Sequence, residues 1–161
     1  MKRIFILAAL LLLSISALAQ NGRSIYQKYS EADDVSAVYI SPAMFRLIGR
    51  LPDLEVGRDK VNVAPIIQSL TGMYLLSSEN PRINDSLRAD VERYIASGEY
   101  EMLMEVKDAG ETVRMYTLGD EKTVSGFVML AAEAAEVTFI CLDGRMSRQA
   151  FEDLLSRQMG D

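Results

Sequence analysis

The sequence predicts an α+β domain, a two-layer sandwich in which amphipathic helices cover a mixed, mainly antiparallel sheet. Three observations point there. Residues 100–144 hold four consecutive runs with strand patterning, joined by short turns. A β-branched run over 35–40 and a shorter strand candidate over 73–77 lie upstream of that block. Between and after them come segments whose apolar residues recur at three- and four-residue spacing. A period of two puts alternate side chains on opposite faces of a strand, and a period near 3.6 draws one stripe along a helix. Each needs the other to bury its apolar side.

The first nineteen residues stand outside the fold. Lys2 and Arg3 form a positive start, residues 4–13 are uninterruptedly apolar, and Ala17-Leu18-Ala19 is a small-x-small site before Gln20. That is the pattern of a cleaved secretory signal peptide, and its apolar run is short for a membrane span. An uncleaved N-terminal anchor is the alternative. No cysteine sits at the junction, so a lipid anchor is not expected there. The expected mature protein is one domain over residues 20–161, located in the periplasm.

Residues 20–29 read as a lead-in or short helix, with Tyr26 and Tyr29 on one face. Packing on the body is the simpler role for them, and an aromatic binding patch the sharper one. Residues 35–40 form the first strand. Ser41 caps the next helix and Pro42 suits its first position. Met44, Leu47, Ile48 and Leu51 make its stripe, and Leu51-Pro52 ends it. Residues 52–60 read as an exposed loop. A short helix over 62–70 follows, broken by Gly72, and 73–77 returns to strand. Asn80-Pro81 opens a longer helix with Ile83, Leu87, Val91 and Tyr94/Ile95 inward, and Gly98 is placed to close it.

The four-strand meander comes next. Over 100–107, Tyr100, Met102, Met104 and Val106 are expected on a buried face. Asp108-Ala109-Gly110 is a tight turn with Gly110 free to take positive φ. Strands over 112–118 and 123–130 follow, the latter with Val124, Gly126, Val128 and Leu130 on one face. The last, 137–142, is apolar on both faces and reads as central. A closing helix over 147–158 turns Ala150, Phe151, Leu154 and Leu155 inward, with Arg148, Glu152, Asp153 and Arg157 toward water.

Composition excludes much. The chain has 17 basic and 23 acidic residues, and loss of Lys2 and Arg3 would leave a net charge of −8. Such a charge disfavours nucleic acid and anionic membrane surfaces. No later segment is long and apolar enough to span a bilayer. There is no histidine, so no Ser-His-Asp set, no Cys-His pair and no His-ligated zinc. Cys141 is the single cysteine and sits in the most apolar run, which suits a buried core thiol.

Three stretches carry a family likeness: residues 35–45 (VSAVYISPAMF), 100–110 (YEMLMEVKDAG), and 137–144 (VTFICLDG) with the helix after it. In that order they resemble the domain of unknown function 4252 family. The resemblance implies a small secreted envelope protein of Bacteroides-type bacteria. It brings no catalytic residues, and its association with sigma-factor systems suggests envelope sensing or regulation.

The remaining candidates for chemistry are few. Glu31, Asp33 and Asp34 could serve a carboxylate hydrolase or an oxygen-ligated calcium site, but calcium-loop spacing is absent and a solvated acidic loop fits better. Arg46, Arg50, Arg58 and Lys60 could meet an acidic partner, or balance nearby carboxylates. Met102, Met104, Met115 and Met129 suit an adaptable groove or ordinary core. Asp143-Gly144 reads as a turn, and the sequon Asn84-Asp85-Ser86 as chance. No catalytic, cofactor or metal residue is assigned. The expectation is a non-enzymatic binding or regulatory module whose partner is another envelope protein. A carrier of an apolar small molecule, or a carboxylate hydrolase, is the alternative.

Overall fold

The computed structural model describes residues 21–50, 55–56, 61–62 and 64–159. The predicted leader and most of the predicted loop over 52–60, with Arg58 and Lys60, lie outside them.

Asn21 caps the first helix, α1 (Gly22–Tyr29), through a reciprocal box with Ser24. Strand β1 (Val35–Ile40) leads into α2 (Pro42–Ile48), where the Ser41 side chain accepts from the Met44 N–H as expected. The predicted loop contains a two-residue ladder instead, β2 (Glu55–Val56) against β3 (Val61–Asn62). Helix α3 is shorter than predicted (Ala64–Ser69), and β4 starts at once (Leu70–Ser78). Gly72 therefore lies inside a strand. Helix α4 (Pro81–Ser97) is capped by Asn80 and closed by Gly98. Strands β5 (Glu101–Asp108), β6 (Glu111–Gly119), β7 (Thr123–Ala132) and β8 (Val137–Ser147) form the meander, and α5 (Arg148–Met159) ends the chain.

The six long strands make one sheet in the order β1-β4-β8-β7-β6-β5, antiparallel at every pairing. The α+β class and the meander are as predicted, and β8 is central. The turn after β5 carries positive φ at Ala109 (45°) and Gly110 (97°), the pairing that a two-residue hairpin needs.

Helices lie on both faces. On the first, α1 and α4 bury Ile25, Tyr29, Leu87, Val91, Tyr94 and Ile95 against Tyr74, Leu76, Val128, Leu130, Phe139 and Cys141. Gly22 lets α1 come this close, because a Cβ there would stand 2.4 Å from Cys141 Sγ. On the second face Phe45 of α2 and Phe151 of α5 join Leu70, Val124, Phe127 and Met146, with Ile66 and Ile67 of α3 beside them.

Three predicted faces are corrected. On α2 the expected stripe is turned outward: Met44 and Leu47 are 47% and 62% exposed, and Phe45 is the residue that packs inward, while Leu51 lies outside the described residues. A bulge between Met102 and Met104 turns those residues to opposite sides, so Tyr100, Met102, Met104 and Val106 do not share a buried face. β5 is an edge strand, and Met102 and Val106 are 50% and 45% exposed. A second bulge between Val124 and Gly126 sends Val124 to the second face while Gly126, Val128 and Leu130 remain on the first. Arg148, expected in water, is mostly covered: its Nε donates to the Asp120 carbonyl at 2.7 Å and ties α5 to the β6–β7 turn.

Candidate functional site

Four titratable side chains meet on the first face, near the end of α4. The last turn of α4 delivers Tyr94, and Gly98 lets the chain reverse so that Tyr100 folds back; a Cβ at Gly98 would press on the Tyr100 ring at 2.8 Å. The two hydroxyls lie 2.5 Å apart and the rings meet edge to face at 5.3 Å. Tyr94 Oη is 3.9 Å from Cys141 Sγ, and that thiol donates toward Asp143 Oδ1 at 3.7 Å. Asp143 is not in a turn. It lies within β8, opposite Gly72 of β4 and Gly126 of β7. The strand runs on to Ser147 because Gly144 packs flush against the backbone of Ser69 and Leu70.

Burial raises all four groups. It holds Tyr94 far above the usual tyrosine range and pushes Tyr100 up to about 12. It lifts the Cys141 thiol, with the Asp143 carboxylate adding to the effect. It raises the Asp143 carboxyl too, which the weak thiol contact only partly opposes. Desolvation penalises each charged form. The two phenols and the thiol therefore hold their protons, and the cluster offers no thiolate to act as a nucleophile.

A second polar site staples α1 to α4. Asp90 is 1% exposed, and its carboxylate accepts from Lys28 Nζ at 2.6 Å, from Tyr29 Oη at 2.7 Å, and from Arg93. Burial alone would raise this carboxyl, but the hydrogen bonds from Lys28 and Tyr29 and the charges of Lys28 and Arg93 outweigh it and hold it below the usual range. The sequence reading missed Asp90. It stands three residues after Leu87 and four before Tyr94, on the inward stripe, and a carboxylate there needs donors.

The predicted candidates scatter. Glu31, Asp33 and Asp34 are exposed, and what fixes their loop is backbone: the carbonyls of Asp33 and Asp34 accept from Asn80 Nδ2 and the Glu79 N–H. Among the described residues no group of three acidic or cysteine side chains could hold a metal ion. Tyr29 is buried on Asp90, whereas Tyr26 joins Tyr39 and Tyr74 in a ring cluster, with Tyr39 stacked on Tyr74 at 5.2 Å. Asn84 is buried, accepting from Ser78 Oγ and donating to the Ala135 carbonyl, so the sequon's side chain is a structural clamp. Three surface recesses are polar, lined among others by Arg88 and Arg114, by Asp120 and Arg148, and by Asp108 and Glu133. None of these three has a methionine in its lining.

Three of the four predicted methionines, Met104, Met115 and Met129, lie instead on the second face, and Met102 is exposed on the first. Val38, Leu75, Ile140, Met129, Met115 and Met104 stand opposite one another in register, one from each strand, across the whole sheet. None of the six is fully buried. Helices α2, α3 and α5 cover the sheet beyond this row, at the end marked by Ile40, Met73, Leu142 and Phe127. Among the described residues, no helix is long and apolar enough to cross a membrane.

Comparison with known proteins adds one match. The family model for a domain of unknown function, DUF4252, matches residues 29–154. The chain belongs to this family. No curated protein and no solved structure matches it. The match takes in the Tyr94 cluster of this DUF4252 chain, the Asp90 site except Lys28, and every strand of its main sheet, and it leaves out most of α1.

Proposed function

We propose that this protein is a non-enzymatic binding or regulatory module of the bacterial envelope, exported to the periplasm, and that its partner is another envelope protein. The leader pattern of residues 1–19 and the acidic balance support the location. The protonated Cys141 thiol, which is no nucleophile, supports a role without thiol catalysis.

The observation that carries the reading is the half-buried apolar row from Val38 to Met104. It is exposed at Val38, and among the described residues no helix covers it beyond the contacts of Met115 and Met129 with the second-face core. A contiguous apolar band on a folded domain marks an interaction surface more often than a lone exposed side chain does. Ile140 sits mid-row on the central strand, so a charge there spoils the band while leaving the first-face core in place. Affinity capture from envelope extracts should recover a partner with the wild-type chain and lose it with Ile140→Lys. Recovery of nothing above background, or equal recovery with the variant, contradicts the reading.

A further inference from the structure

The two edges of the sheet are built differently. β5 carries Glu101, Glu105, Lys107 and Asp108 and is bent by its bulge. Charges and bulges are the devices that keep a free edge from pairing with another chain. β1 has neither. Its register with β4 is unbroken from Val35 to Ile40, and no charged residue occurs from 35 to 45. Val38 and Tyr39 are 44% and 45% exposed.

The Asp34 carbonyl accepts from the Glu79 N–H, so the next N–H, that of Val35, points away from β4. Alternation along an antiparallel strand then turns the N–H and C=O groups of Val35, Ala37 and Tyr39 outward. We propose that this edge pairs antiparallel with β1 of a second copy, Val38 opposite Val38, joining two six-stranded sheets into one of twelve.

Self-pairing fits the residues. Outward groups must meet outward groups, which sets Ala37 opposite the second copy's Tyr39 on the first face. On the second face Val38 meets Val38 and Ser36 meets Ile40, so small stands against large and the apolar row continues unbroken into the second copy. The alternative register with Ala37 opposite Ala37 would put Asp34 against Ile40.

Charge favours the same edge. The chain has a net charge of −6, so two copies repel at most approaches, and β1 is a neutral strip wide enough for them to meet. The two-fold also sets α2 of each copy level with the part of the second face on which the other, among its described residues, has no helix. The exposed Met44 (47%) and Leu47 (62%) then add apolar area to an edge pairing that would be small alone.

The test uses protein recovered from expression of the full sequence. Val38 pairs as a close, non-hydrogen-bonded couple in this register, so Val38→Cys should give a disulfide-linked dimer on mild oxidation. Cys141 is buried and serves as a silent control. Ala37→Cys should not link. Light scattering should give twice the chain mass for the wild type and the single mass for Val38→Lys, with unchanged circular dichroism. A monomeric wild type at on the order of 100 µM, the weak end of specific association, together with no Val38→Cys product, overturns the proposal. So does linking through Ala37→Cys in preference to Val38→Cys. A third contrary result is a wild type that stays monomeric alone while Val38→Lys abolishes capture of a different protein, which would assign the edge to that partner. The proposal does not depend on the envelope reading, because it needs only the edge.

Discussion

Leu75 and Leu76 are neighbours on β4, yet they meet opposite surroundings. Leu76 is fully buried between the sheet and the helices α1 and α4, while Leu75 is only partly covered. Phe139 and Ile140 on β8 repeat the contrast. The first face is a finished core and the second is half of one. Strand patterning decides which residues share a face, but the placement of helices decides which face is finished.

That difference can be broken by paired truncations. Leu76→Ala should destabilise by about 2–5 kcal/mol, the range for emptying a packed site, whereas Leu75→Ala should cost about 1 kcal/mol or less. Chemical denaturation of both variants checks this, and equal losses would erase the distinction between the faces.

The carboxylates of the first face sharpen it further. Asp90 has its donors. Asp90→Ala should cost about 1.5–3 kcal/mol, the scale of hydrogen bonds to a charged group, and no more, because Lys28 and Arg93 are largely exposed and can rehydrate. Its carboxyl is lowered in the folded state, so this contribution is present above the ordinary aspartate range and is lost as pH falls through the lowered folded value. Asp143 runs the other way. Its raised carboxyl favours the fold at low pH, and that advantage is lost as pH rises through the folded value. Asp143→Asn should therefore raise the Tm at pH 7 and leave it nearly unchanged at pH 3. Thermal melts of both variants across pH 3–7 should show opposite slopes relative to wild type; parallel slopes would mean the two sites are alike.

Much of this was legible in the residues. Ser41-Pro42 and Asn80-Pro81 announced two helix starts, and alternation, the β-branched run 35–40 and the wholly apolar run 137–142 together located the strands of the main sheet. The stripe through Leu87, Val91 and Tyr94 held because one helical face is a local property. The stripe of α2 failed, with Met44 and Leu47 outward and Phe45 inward, because its apolar residues run round more than one side of the helix. The other failures were not local. Nothing in the run of residues 100–107 says that no helix lies over its strand, so its alternation suggested core where there is edge. The bulges beside Met102 and Val124 shift the faces by one residue without an evident signal. Asp143-Gly144 has turn composition, and only the flush packing of Gly144 on Ser69 and Leu70 keeps the strand going. The four-group cluster joins α4, the start of β5 and β8, a meeting set by tertiary packing alone.

The edge of β1 can be read directly by amide hydrogen exchange. In dilute solution the N–H groups of Ala37 and Tyr39 should exchange freely, while those of Ser36 and Val38 are protected by β4. With rising protein concentration Ala37 and Tyr39 should become protected. Protection of these two amides at every concentration, or at none, would contradict a β1 edge held open for a second copy.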